Sequence, residues 1–232
     1  MRRFWQVVAV APENGGIAVT LDGNPVRTPA RRALLLQSAT LAEAVAEEWR
    51  KQDRTVDLES MPLTRLAATA IDRVAGARAE VERQLLAFAG TDLVCYRADG
   101  PAALVERQQV AWQGLLDWLD AAHGARLVVT SGVVPVSQPA AAMAALGRAL
   151  GRLDAFELMV LHVAAAASGS LVVALAQAAG AIDVEAAIAA AQLDEAYQAE
   201  EWGIDEEAAA RRAAVADDLR LAARFLALHR AG

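Results

Sequence analysis

Cysteine is nearly absent: Cys95 stands alone in 232 residues, which excludes an intrachain disulfide and a thiolate metal cluster. A nucleophilic Cys95 would need a base and a group to orient it, and none of the three histidines is recognisable as that base. A buried, unreactive thiol is expected. Histidine is too scattered for a metal site, since His123, His162 and His229 have no ligand neighbours at coordinating spacing. Phosphate-binding glycine loops are missing too, because Gly15-Gly16 and Gly23 lack both the spacing and the following lysine. No G-x-S-x-G elbow occurs, and Ser168-Gly169-Ser170 offers small side chains suited to close helix packing. No catalytic residue, cofactor or metal is expected. Positive charge is in deficit: 22 Lys and Arg against 29 Asp and Glu give a net charge of -7. Such a surface repels phosphate backbones, which argues against nucleic acid, and favours partners with basic surface. After Arg2-Arg3 no apolar run develops before Pro12-Glu13-Asn14-Gly15-Gly16, so neither a signal peptide nor a transit peptide is read.

What is present is apolar and alanine-rich. Hydrophobic residues reach 56%, much of it alanine, the best helix former and one that buries little area per residue. Many helices packed through small side chains are expected. Residues 158–182 carry only His162 as an ionisable group, a length that could span a bilayer. Ser168-Gly169-Ser170 interrupts that run, Gln177 and Gly180 dilute its end, and no basic cluster flanks it. A buried helix, or one broken near Gly169, is expected, with His162 as a hydrogen-bonded core histidine.

The pattern predicts an α+β protein: a small N-terminal antiparallel sheet with a packed helix, then a larger all-helical domain. Strands are predicted at 4–10, 17–21, 26–28 and 33–36, joined as a meander through Asn14-Gly15-Gly16 and Asp22-Gly23. A helix starts near Ser38 or Thr40, with Thr40 and Glu43 fitting a capping box and Leu41, Val45 and Trp49 on one face. Met61-Pro62 opens the next helix, with Leu63, Ala67, Ala70 and Val74 as its stripe. Gly76 marks a boundary, giving domains 1–76 and 77–232. In the second domain, Val81, Leu85 and Phe88 form one stripe and Leu104, Ala111, Leu115 and Trp118 another. Residues 126–136 are irregular or briefly extended. Asp154 is an N-cap, Asp183 caps a helix running to Trp202, and Gly203 ends it. Asp205, Glu206 and Glu207 open the last helix and His229 and Arg230 close it, complementing its dipole.

The segment with most to offer a partner is Leu193-Asp194-Glu195-Ala196-Tyr197-Gln198-Ala199-Glu200-Glu201-Trp202-Gly203. On one continuous helix, Ile188, Glu195 and Trp202 share a face, with Ala191 and Gln198 beside it. Glu195 is then either partly buried against an arginine or presented to a partner, while a solvated face is the plainer reading. Five tryptophans are present, and core packing accounts best for Trp49 and Trp118. Trp202, at a helix end before glycine, is least explained by packing and suits an interface.

The chain resembles the assembly chaperones of the α subunit of the F-type ATP synthase head, the Atp-twelve family of mitochondria and α-proteobacteria. The resemblance rests on an ordered set: Arg3-Phe4-Trp5, Leu21-Asp22-Gly23, Arg27-Thr28-Pro29, Ala46-Glu47-Glu48-Trp49 with Gln52, and Met61-Pro62-Leu63-Thr64. It continues with Thr91-Asp92-Leu93, Cys95-Tyr96-Arg97, Gln109 with Trp112, Gly169-Ser170-Leu171, Leu193-Asp194-Glu195, Tyr197-Gln198 and Trp202-Gly203. The resemblance implies a non-enzymatic role: binding the unassembled α subunit and keeping it from aggregating before it pairs with the β subunit. It further implies a monomer, no membrane insertion, and no cofactor. Since the sequence starts at the Arg-Phe-Trp motif, a bacterial cytoplasmic location is expected. A glutamate of the helical domain matters in the family, and the motif carries that role to Glu195, with Asp194 and Glu201 close by; Gln198, Trp202 and Gly203 complete the expected protein-binding set. The rival readings are an enzyme using Glu195 or Asp194 as acid or base, and a membrane-associated assembly factor.

Overall fold

The computed structural model describes residues 2–132, 134–203 and 205–231. Met1 and Gly232, the outer limits of the two expected domains, and Val133, within the expected irregular stretch, lie outside the described residues. The fold is α+β, a small N-terminal antiparallel sheet followed by many helices. The chain divides into two compact units, Met1–Arg78 with Asp154–Val160 and Arg224–Gly232, and Ala79–Leu153 with Leu161–Ala223.

In the first unit, β1 (Val8–Glu13) and β2 (Gly16–Leu21) form a hairpin in register from Val8 with Leu21 to Glu13 with Gly16. Its loop is Asn14-Gly15, and Gly15 takes the left-handed conformation (φ 96°) that the turn needs. β3 (Asn24–Pro25) and β4 (Leu35–Leu36) both pair with β2, at opposite ends of one edge. The sheet is thus centred on β2 rather than being a simple meander. The first strand also begins later than predicted. Asp22 takes the Gln6 and Val7 amides on its carboxylate at 3.0 and 2.8 Å, so a side chain holds this backbone where a ladder was expected. Pro12 is tolerated because β1 is an edge strand.

α1 (Ala39–Arg50) buries Leu41, Ala42, Val45, Ala46 and Trp49 against β1 and β2. Ser38 is its N-cap, accepting from the Leu41 amide at 3.3 Å. The predicted Thr40–Glu43 capping box does not form: Thr40 lies inside the helix and donates to the Ala231 carbonyl, and Glu43 meets Arg50. Trp49 packs edge-to-face on Trp5 at 5.2 Å between ring centres.

Glu48 falls on the same face of α1 as Leu41 and Val45 and is buried. Its carboxylate accepts the Leu63 and Thr64 amides, both at 2.8 Å, and the Thr64 hydroxyl at 2.7 Å. These are first-turn donors of α2 (Pro62–Thr69), which have no partner inside their own helix. A carboxylate there also meets the positive end of the helix dipole. Glu48→Ala strands those buried donors and is expected to cost about 2 kcal/mol in urea unfolding; an unchanged midpoint would show that the carboxylate holds nothing.

The pieces 154–160 and 224–231 belong with this unit. Asp154 accepts the Phe156 and Glu157 amides at 2.8 and 2.9 Å, the N-cap predicted, and its other oxygen meets His229 at 2.7 Å. Arg230 reaches Glu157 at 2.7 Å, so the terminal basic residues bond to specific acidic side chains besides facing the helix dipole.

The second unit holds α3 (Arg78–Gly90), a one-turn helix at Leu93–Cys95, and β5 (Tyr96–Arg97), then α4 (Ala102–His123) and β6 (Thr130–Ser131). There follow α5 (Ala140–Leu150), α6 (Ala155–Ser168), α7 (Leu171–Ala178), α8 (Val184–Ala191), α9 (Leu193–Trp202) and α10 (Glu206–Arg230), of which α6 up to Val160 and α10 from Arg224 belong to the first unit. The unit is helical except for β5 and β6, a short parallel ladder that places the brief extension predicted near 126–136. The buried stripe of α4 is Gln108, Trp112, Leu115, Leu116 and Leu119. Trp112, whose indole donates to the Ala190 carbonyl at 2.9 Å, is fully buried, and Trp118 is half-buried.

The apolar run 158–182 is two helices broken at Gly169 (φ 68°). α7 is buried from Leu171 to Ala176 and packs on α4 and α8. No helix among the described residues is long and apolar enough to cross a membrane. His162 is half-buried, hydrogen-bonded to Gln84 at 3.2 Å and edge-on to Phe88. Cys95 is fully buried, and burial first, with Asp92 second, pushes its thiol up to about 12, which leaves it protonated and unreactive.

Candidate partner-binding site on the helical unit

One helix from Asp183 to Trp202 was expected; the structure has two, separated at Gln192 (φ −113°, ψ 18°). Gln192 is buried, donates to the Arg212 carbonyl at 2.6 Å and accepts from the Arg212 guanidinium at 3.4 Å. Those long-range bonds hold the break, a signal invisible to local periodicity. The break separates Ile188 from the face it was assigned to. Ile188 lines a groove of about 890 Å³ with Val110, Leu115 and Ala189, whereas Glu195 and Trp202 line a different cavity of about 670 Å³.

α9 is anchored on one side and open on the other. Tyr197 is buried, with the Arg107 guanidinium 5.1 Å from its ring centre, and Arg107 pairs with Glu200 at 2.7 Å. Asp194 also turns inward, accepting from the Gln108 amide at 2.7 Å. Outward, at helical spacing, stand Glu195, Gln198 and Trp202. Gly203 (φ 88°) ends the helix, its amide bonded to the Ala199 carbonyl at 3.0 Å. Glu195, Gln198, Trp202 and Gly203 therefore share one cavity, whose walls include Arg212 and Gly169. Asp194 is not among its lining residues. Trp202 is 80% exposed, which for an indole is a large apolar surface left in water.

Charge in the cavity is mixed. Glu195 is exposed and forms no ion pair among the described residues, and Arg212 has no carboxylate within 4 Å among them. The arginine partner expected for an inward Glu195 is not needed, because Glu195 faces solvent.

Behind α9 lies a support built on Gln108, which falls on the same face of α4 as Leu104, Ala111 and Leu115. Gln108, 1% exposed, donates to Asp194 and accepts the Ala98 amide at 2.8 Å. Arg97, also buried, donates to the Gln108 carbonyl at 2.5 Å and lies 5.2 Å from the Trp112 ring centre. Burial lowers the Arg97 pKa, and the aromatic face and two carbonyls are what stabilise its charge. Arg97 and Trp112 were legible as motif residues; the buried glutamine beside Gln109 was not.

The protein-family model described as "ATP12 chaperone protein" matches residues 2–120. The crystal structure of Atp12 from Paracoccus denitrificans is similar to this chain at a TM-score of 0.95 with 43% identity, covering 99% of this chain and 98% of that one. The chain belongs to the ATP12 chaperone family. An aspartate-to-lysine mutant of P. denitrificans Atp12p gives the same TM-score, 0.95, with 42% identity over 99% of this chain and 98% of that one. Protein atp12, mitochondrial, of Schizosaccharomyces pombe is 26% identical over 219 residues, 89% of this chain and 75% of that protein. The family match contains Glu48, Asp92, Arg97 and Gln108, and the similarity to the P. denitrificans structures extends through α9. The chain is thus a member of a chaperone family. Among the described residues no cluster of three or more His, Cys, Asp or Glu could hold a metal ion.

Proposed function

We propose that this ATP12 protein binds the unassembled α subunit of the F-type ATP synthase and keeps it from aggregating until the β subunit displaces it. The observation that carries this reading is the α9 face: an 80% exposed tryptophan beside Glu195 and Gln198, at the rim of a 670 Å³ cavity. An orphan subunit exposes an interface that pairs wrongly. A rigid aromatic anchor with adjacent polar groups binds such a surface with little entropy loss. The chain acts as a monomer in the cytoplasm, without nucleic acid, cofactor or membrane insertion, and no bond-making step enters this role. A single buried thiol supports a reducing compartment. The expected protein-binding residues are Glu195, Asp194, Gln198, Trp202 and Gly203; in this reading Asp194 serves through its bond to Gln108.

Purified α subunit diluted from denaturant is expected to stay in solution when an equimolar amount of the chain is present, followed by light scattering. Unchanged scattering would refute the proposal. Trp202→Ala should weaken capture of the α subunit roughly tenfold, as loss of an exposed anchor does, with no change in thermal melting because the indole supports little of the core. Equal affinity of this variant would remove Trp202 from the site.

A further inference from the structure

The first unit contains a separate cavity of about 410 Å³, framed by the chain after β3 and by α2 with the turn that follows it. Val26, Leu34 and Trp49 are its buried apolar walls, and Leu58, 56% exposed, stands at its lip. Arg27, Arg65 and Arg73 complete the lining, all exposed. None of the three has a carboxylate within 4 Å among the described residues. The one acid in the lining, Asp72, is engaged within the fold: it accepts the Thr28 hydroxyl at 2.6 Å and the Ala30 amide at 2.9 Å. Trp49 adds an indole N–H that is buried and has no acceptor among the described residues.

A protein of net charge -7 therefore sets three exposed guanidinium groups, with no carboxylate within 4 Å among the described residues, around an apolar cavity, Arg27 donating to the Arg31 carbonyl at 3.1 Å and Arg73 acting on Asp72 through space. Like charges held together repel, and carboxylates brought by a ligand would relieve that repulsion with bidentate bonds. We infer that this cavity docks an acidic peptide segment of a partner protein, one apolar side chain entering between Val26, Leu34 and Leu58 while flanking carboxylates meet Arg27, Arg65 and Arg73. A nucleic acid or anionic membrane is disfavoured, since neither brings an apolar side chain to fill the cavity. This site lies on the other unit from the α9 cavity, so the two readings fail independently.

The test uses the full chain and a fluorescein-labelled heptapeptide with a central leucine flanked on each side by two glutamates. Binding is read by fluorescence anisotropy and by the NMR signal of the Trp49 indole N–H. The peptide is expected to bind, to shift that signal, and to weaken with salt. R65E/R73E should lower the affinity at least about tenfold, while Arg148→Glu on α5 should change it little. Both cavity arginines are exposed, so melting should be retained; the milder R65Q/R73Q gives the same reading if the reversal does not fold. The inference is overturned if the peptide does not bind, if R65E/R73E or R65Q/R73Q binds it as well as the unaltered chain, if the glutamine counterpart binds equally, or if phosphatidylserine vesicles bind in place of the peptide.

Discussion

Glu195→Lys is expected to weaken binding of the free α subunit by roughly a hundredfold, the size of effect seen when a charge at an interface is turned against its partner. Glu195 is exposed, sits on the open face of α9 and forms no ion pair among the described residues, so the substitution leaves the fold intact. Helicity and melting should therefore match the unaltered protein, and the loss should appear in affinity alone. Asp194→Asn is a useful contrast. Asp194 accepts from Gln108, and its replacement should loosen α9 and lower stability modestly rather than strike binding directly. If Glu195→Lys captures the α subunit normally, the α9 face is not the site.

The second large effect concerns Asp92. Its carboxylate is completely buried and accepts the Ser170 hydroxyl at 2.5 Å, the Val172 amide at 3.0 Å and the Val94 amide at 3.3 Å. One side chain thus caps both the Leu93–Cys95 turn and α7, the most buried helix of its unit. Asp92→Ala leaves those donors without partners and is expected to cost about 3 kcal/mol in chemical denaturation. Burial pushes the Asp92 carboxyl up to about 6, the hydrogen bonds from Ser170 and Val172 opposing it only in part. The folded-state value lies above the unfolded 3.8. The group therefore adds stability at low pH and loses it as pH rises through about 6. The unaltered protein should gain about 2 kcal/mol from this group between about pH 7 and pH 4, a gain that Asp92→Asn removes. Identical pH profiles for the two proteins would show that Asp92 does not titrate in this range.

Features set by neighbouring residues could be read before any coordinates. Asp154 and Asp183 cap helices, Gly169 breaks the apolar run, and Gly203 ends α9, because each acts on backbone within a few residues of itself. The face of Glu195, Gln198 and Trp202 was legible for the same reason, since α9 is regular from end to end. What escaped was settled at a distance. Thr40 and Glu43 satisfy the local rule for a capping box, yet Ser38 wins because its hydroxyl also reaches the Leu228 carbonyl at 2.7 Å. The Ile188–Glu195–Trp202 face failed because Gln192 bonds to Arg212, a residue no period of 3.6 could indicate. Glu48, Asp92 and Gln108 prove to be buried clamps, and what each one holds is a partner distant in sequence. Each is polar because it satisfies backbone or side-chain groups brought to it by the fold. Several of the motif residues that carry the family resemblance are of this kind, with Glu48 holding Leu63 and Thr64, and Asp92 holding Ser170.

The most direct measurement of the central claim is affinity recovery of the tagged chain from its native host, with the captured proteins identified by mass spectrometry. The α subunit of the ATP synthase, free of β subunit and of the complete synthase, is the predicted catch. Recovery of no α subunit, or only of the finished enzyme, would contradict it.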